Sequence, residues 1–301
     1  MAPRLSLDVL PAPTLVLGGI ASVQFGAAFA DQLFDRAGPA GVVLLRLALS
    51  AALLLALVRP RLAGRTRREL LTAAGFGLSL AAMNWSFYEA LHRLPLGAAV
   101  TVEFAGPLAV AIAGSRRLID LVWAGLAGGG VLLLAFGHPS GGRLDPVGVV
   151  LALVAGAFWA GYILLSQRAG SVFPGLQGLA LALATGTVVV LPAGLYQGLV
   201  AHHGGLLRPP VLLGGLAVAM LSSLIPYSLE LTALRRIAAG TFGLLMSLEP
   251  AFAALAGVIV LGQHLRWLTG LALVMVVIAS IGTTVANGRV SGRREQPAPL
   301  G

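Results

Sequence analysis

Apolar positions in this chain are gathered into long runs, and polar positions into the short gaps between them. A helix crosses the hydrocarbon of a bilayer with about 20 mostly apolar residues, within a range of roughly 17–25. Ten runs have that length, at approximately 13–31, 40–58, 70–91, 97–115, 119–137, 146–166, 176–196, 211–232, 240–262 and 267–286. The pattern predicts an all-α integral membrane protein with ten transmembrane helices. The first run has Arg4 ahead of it and Ala27, Ala28 and Ala30 near its end, as a secretory signal has. A signal's apolar core spans only about 7–15 residues, so this longer run is expected to persist as the first span. Residues 287–301 are polar and are expected to form a disordered cytoplasmic tail.

The gaps orient the spans, because cytoplasmic loops are enriched in Arg and Lys. Taken alternately from the N-terminus, one set of gaps carries fourteen arginines, including Arg59, Arg61, Arg65, Arg67 and Arg68. The other set carries five: Arg36, Arg93, Arg143, Arg208 and Arg266. Both termini and the Arg65 loop are therefore expected in the cytoplasm, and the His202–His203 loop outside. Composition agrees with a membrane location: 57% of residues are hydrophobic and 10% charged, against roughly 25% charged in soluble chains. A net charge of +9 raises the question of nucleic acid. The confinement of the arginines to short gaps answers it, and no nucleic-acid partner is expected. The chain has no Cys, which excludes disulfides and thiolate metal sites. Its histidines (His92, His138, His202, His203 and His264) fall in predicted loops without metal-ligand spacing. No metal and no cofactor are expected.

Two runs say the same thing twice. Residues 97–114 read GAAVTVEFAGPLAVAIAG, and 240–257 read GTFGLLMSLEPAFAALAG. Shifted by 143 positions, Gly97 falls on Gly240, Pro107 on Pro250, Ala111 on Ala254 and Gly114 on Gly257. The acids do not coincide: Glu103 falls on Met246, and Glu249 on Gly106. A proline lacks the N–H that bonds the carbonyl four residues back, so Pro107 frees that of Glu103 and Pro250 that of Met246. Helix breaks are expected at both prolines. In hydrocarbon such a break must face protein or a watery cavity, and paired breaks in two halves point to a transporter's central site. Each half holds five runs, an odd number, so the second enters the membrane from the opposite side. The expected domains are inverted five-helix repeats over 13–137 and 146–286.

Asp31 and Asp120 sit at run ends, within reach of headgroups or water, and five charges lie further inside: Arg46, Glu89, Glu103, Glu230 and Glu249. A charge at mid-membrane costs at least about 2.5–3.5 kcal/mol on insertion scales, so each needs a reason to be there. Glu89 and Glu230 are two residues from the ends of their runs, within reach of headgroups or of Arg93, Arg235 and Arg236. Glu103 and Glu249 lie deeper, and each serves either as an acid bonding a freed helix carbonyl or as a substrate or proton site. Arg46 and Glu103 sit six residues in from the outer ends of their runs, roughly 9 Å deep. They are expected either as a static ion pair or with Arg46 gripping a substrate carboxylate, a geometry that suits Arg. Glu249 has no basic residue within nine positions and is ranked first as proton carrier, with Glu103 first as substrate contact and second as carrier. Gln24, Asn84, Trp85, Tyr88, Trp159, Tyr162 and Tyr227 are the polar and aromatic groups expected to line the site, against helix packing as the plain alternative. Gly128–Gly130 follows no strand, and close helix packing explains it.

The segment PLGAAVTVEFAGPLAVAIAGSRR (95–117) resembles the signature of the threonine/homoserine exporter group, within the ten-helix, EamA-type drug/metabolite transporter superfamily. The segments at 45–57, 173–183, 222–236 and 241–257 resemble it as well, so the likeness runs from about 15 to 286. SLEPAFAALAG is generic to the superfamily, whereas TVEFAGPLAV is closer to the exporter group. The resemblance implies two inverted five-helix repeats in a bacterial plasma membrane and export of small metabolites, often amino acids. No nucleotide-binding motif is present, and proton antiport by alternating access is the expected drive, with facilitated diffusion as the alternative. The expected partners are a small-molecule substrate, protons and the bilayer; the sequence carries no sign of oligomeric state. The alternative is a membrane-embedded enzyme or flippase acting on lipid-linked substrates. An enzyme needs a nucleophile or metal cluster at one membrane level, and no such arrangement is legible, so no catalytic residues are expected.

Overall fold

The structure is a computed structural model and describes residues 10–60, 63–113, 118–136, 144–234, 236, 242 and 245–294. All regular secondary structure among them is helical. The helices are α1 (Ala12–Asp31), α2 (Phe34–Ala37), α3 (Pro39–Val58), α4 (Arg67–Leu91), α5 (Leu96–Glu103), α6 (Ala105–Ala113), α7 (Leu118–Phe136), α8 (Pro146–Val172), α9 (Gln177–Leu195), α10 (Pro209–Ala219), α11 (Ile225–Leu234), α12 (Glu249–Leu261) and α13 (Trp267–Arg294). Two π-helical turns extend α9 (Tyr196–Ala201) and join α10 to α11 (Met220–Leu224).

Local chemistry sets many of the ends. Proline stands in the first turn of α1, α3, α8, α10 and α12, where its missing N–H costs nothing. Thr66 and Glu69 form a reciprocal capping box at the start of α4. Between α2 and α3 the chain turns at Gly38, whose φ of 71° a residue with a side chain rarely adopts.

Among the described residues, five helical stretches are long and apolar enough to cross a membrane: 12–31, 39–58, 67–91, 146–172 and 177–201. Five shorter apolar stretches, at 96–110, 121–133, 209–224, 249–261 and 267–282, fall on the remaining runs. The shortening has a cause in two of them: the runs at 97–115 and 240–262 are interrupted at Phe104 and at Ser247–Leu248. Each break lies just ahead of its proline, so Pro107 and Pro250 sit in the first turn of the following half-helix rather than inside a continuous one. The last helix corrects the expectation for the tail. It continues from 286 to Arg294, and only 295–301 lie outside the described residues.

In the packing, α3 lies on α9, α4 on α8 and α9, α7 on α13, α5 on α12 and α8, and α1 on α11 and α12. The interior is rich in Ala and Gly, while large apolar residues such as Leu57, Leu118, Leu121, Val188 and Leu213 face outward. Small residues let helix backbones approach where no hydrophobic force drives them together. The tightest case is Gly106 of α6 on Gly156 of α8, where a Cβ on Gly106 would overlap the Gly156 carbonyl. Gly129 and Gly130 of α7 pack closely on Met275 and Ala272 of α13, whereas Gly128, expected to do the same, has nothing within 4 Å of where a Cβ would stand.

Candidate functional site: a cavity between two broken helices

The two breaks open onto one cavity of about 670 Å³. Glu103 is the last residue of α5 and Glu249 the first of α12, so each break presents one carboxyl to the cavity. Both are buried, at 7% exposure each. Across the cavity stand Gln24 from α1, Arg46 from α3, Asn84 from α4, Trp159 and Tyr162 from α8, and Ser222 and Glu230 from the C-terminal half. Pro107 also lines it.

The breaks follow from the prolines. Position 107 has no N–H for the Glu103 carbonyl, and that oxygen instead lies against Gly156, where a Cβ would come within 2.5 Å of it. The turn residue Phe104 swings its ring onto Trp159, edge to face at 5.7 Å. Trp159 is thus held at the cavity wall by the break itself. Tyr162, one turn on, packs on Phe76 at 5.2 Å.

Polar links tie the two halves of the chain together around the cavity. Gln24 Nε2 donates to Glu249 Oε1 at 3.1 Å. Arg46 Nη2 donates to the Ser222 carbonyl at 3.0 Å, and Ser22 Oγ to the Leu221 carbonyl at 2.6 Å. Arg46 Nη1 donates to Tyr88 Oη at 3.3 Å, and its guanidinium lies 5.7 Å from that ring's centre. Four buried polar atoms here have no protein partner among the described residues: Arg46 Nε, Gln24 Oε1, Ser222 Oγ and Glu249 Oε2. Buried polar groups are costly unless paired, and this set can pair with a ligand that carries both donors and acceptors.

Several expectations are corrected. Arg46 and Glu103 share the cavity but form no ion pair among the described residues, because Tyr88 and Ser222 hold the guanidinium instead. Tyr88 is fully buried behind Arg46 rather than on the cavity wall. Asn84 reaches the cavity while donating to its own helix at the Leu80 carbonyl, 2.8 Å away. Glu230, expected near headgroups, turns inward over Gly19 of α1 and lines the cavity; the π turn at Met220–Leu224 shifts the face that α11 presents. Glu89 remains at the margin, 3.8 Å from Arg93 and bonded by Gln197 at 3.1 Å. The side chain of Tyr227 lies outside the described residues. Among the described residues no three His, Cys, Asp or Glu gather to hold a metal ion.

Ser222, Pro226 and Ser280 also line the cavity and were not singled out from sequence. Pro226 carried a signal, since it stands four residues after Ser222 in a membrane-length run.

Comparison with known proteins gives an independent view. Residues 146–285 match the EamA-like transporter family. The threonine/homoserine exporter RhtA of Salmonella typhimurium is 43% identical over 282 residues, covering 92% of this chain and 92% of the relative. The protein of the same name from Escherichia coli is 42% identical over 285 residues, covering 93% and 94%. A solved crystal structure of a protein 19% identical to this one covers 92% of this chain and 98% of its own, with a TM-score of 0.60. At that identity the likeness shows the fold alone.

Proposed function

This chain belongs to the EamA-like transporter family, in the group of the threonine/homoserine exporters, and on that premise we propose that it exports threonine, homoserine or similar small amino acids. It is a membrane transporter, not an enzyme. Export proceeds by alternating access of the central cavity, driven by inward movement of protons. Ten spans form two inverted repeats, with both termini in the cytoplasm.

The observation that carries this reading is the cavity's charge arrangement. A zwitterionic amino acid brings a carboxylate and an ammonium at fixed separation. Arg46 offers an unpaired Nε to the carboxylate. Glu103, which has no hydrogen-bond partner among the described residues, takes the ammonium. Glu249, bonded by Gln24, carries the proton. Asn84, Trp159 and Tyr162 complete the wall, and both carboxyls sit at helix breaks, where the backbone can change shape between states.

Packing supports the inverted repeat. In the ten-span order, the second span lies on the seventh, the fourth on the ninth and the fifth on the tenth. The third lies on the sixth and the first on the eighth. A two-fold operation that exchanges the halves maps each of these pairs onto itself or onto another of the set.

The test is transport by purified protein in lipid vesicles loaded with labelled threonine, homoserine and a panel of other amino acids. Threonine and homoserine are expected to leave faster than from protein-free vesicles. Absence of flux for every amino acid, with movement of labelled lipid instead, would overturn the reading in favour of a flippase.

A further inference from the structure

We infer that Pro226 is a positioning residue for Arg46: by lacking an N–H it leaves the Ser222 carbonyl free to tie α3 to the C-terminal half, and that carbonyl aims the guanidinium into the cavity. The inference rests on the reading of Arg46 as the carboxylate contact only for its consequence in transport; the geometry stands apart from it.

The N–H of residue 226 has two natural acceptors. In an α-helix it bonds the carbonyl four residues back, that of Ser222. In a π turn, which this chain forms over Met220–Leu224, it bonds the carbonyl five back, that of Leu221. Proline can fill neither role. Both carbonyls are taken from outside their own helix: Ser22 Oγ of α1 donates to Leu221 at 2.6 Å, and Arg46 Nη2 of α3 donates to Ser222 at 3.0 Å. Arg46 is then fixed at a second point by the Tyr88 hydroxyl at 3.3 Å. With both Nη groups engaged, Nε is the buried donor left without a protein partner. Arg46, Ser222 and Pro226 all line the cavity. An alanine at 226 returns a helical donor to Ser222, which then competes with Arg46 for the same oxygen and frees the guanidinium to swing.

Two measurements on full-length protein in bilayers test this. In the 15N spectrum of arginine-labelled protein, the guanidinium signals of Arg46 are those that Arg46→Lys removes. Pro226→Ala is expected to shift and broaden these signals while leaving the other arginines in place; unchanged Arg46 signals overturn the inference whatever transport does. In the transport assay, Pro226→Ala is expected to raise the KM for threonine about tenfold, the scale of one hydrogen bond to a charged group. The same change on an Arg46→Ala background is expected to add nothing, since contacting residues that act as a unit are non-additive. An equal KM rise on both backgrounds means that Pro226 acts elsewhere, and overturns the inference. Shifted Arg46 signals together with normal threonine transport by Arg46→Ala support the positioning and sink the carboxylate reading instead. Pro226→Gly restores the same N–H and replaces Pro226→Ala should that variant not fold.

Discussion

At the residue scale, the proposed transport cycle gives different work to two carboxyls that look alike in sequence. Glu103 ends a half-helix and has no hydrogen-bond partner among the described residues, whereas Glu249 begins one and is bonded by Gln24. With Glu103 as the ammonium contact, Glu103→Gln is expected to raise the KM for threonine about tenfold, the loss of one charge-assisted bond. Its response to a pH gradient should be retained. Glu249→Gln has the opposite signature. In native vesicles oriented as in the cell, acid outside should accelerate export, because protons entering drive substrate out. In Glu249→Gln that acceleration should vanish while counterflow at equal pH persists. Export that still tracks the imposed gradient as steeply as in the native protein rules Glu249 out as the carrier.

At the element scale, the breaks are the parts expected to move, and each is held by close contact with a neighbour. The break after α5 rests on α8, with the Glu103 carbonyl against Gly156 and Gly106 against the same helix. Gly156→Ala forces a methyl into that contact and is expected to destabilise the protein by about 1–3 kcal/mol, as overpacking does, seen as a lower melting temperature in detergent. Pro107→Ala gives the Glu103 carbonyl a helical donor again and straightens the α5–α6 joint. Pro250→Ala does the same at α12. Both variants should fold, and both should transport several-fold more slowly. Native rates from both variants would reduce the breaks to packing features.

At the scale of the whole molecule, orientation decides which end of the cavity loads. From the arginine imbalance of fourteen to five, the loop between α3 and α4 is expected in the cytoplasm and the loop before α10 outside. Since the native chain has no Cys, Ala63→Cys and Leu207→Cys, both at exposed positions, report each side without background. An impermeant thiol reagent added to intact cells should label position 207 and spare position 63. The reverse pattern inverts the assignment of inner and outer gates.

Sequence alone determined the apolar helical stretches, the paired prolines and most of the charged set, because hydropathy and the missing proline N–H act over a few residues and leave a local record. It placed Gln24, Arg46, Asn84, Glu103, Trp159, Tyr162 and Glu249 together, and all line one cavity. It did not place Glu230 there, nor put Tyr88 behind Arg46, because both depend on which face a helix turns to its neighbours. The π turn at Met220–Leu224 sets that face for α11, and no pattern of apolar residues announces it. The partner of Arg46 was likewise decided by tertiary structure. Equal depth suggested Glu103, but depth along a span says nothing about direction around it. Packing of α3 against the C-terminal half gave the guanidinium a backbone carbonyl that a proline 180 positions further along the chain had left unpaired.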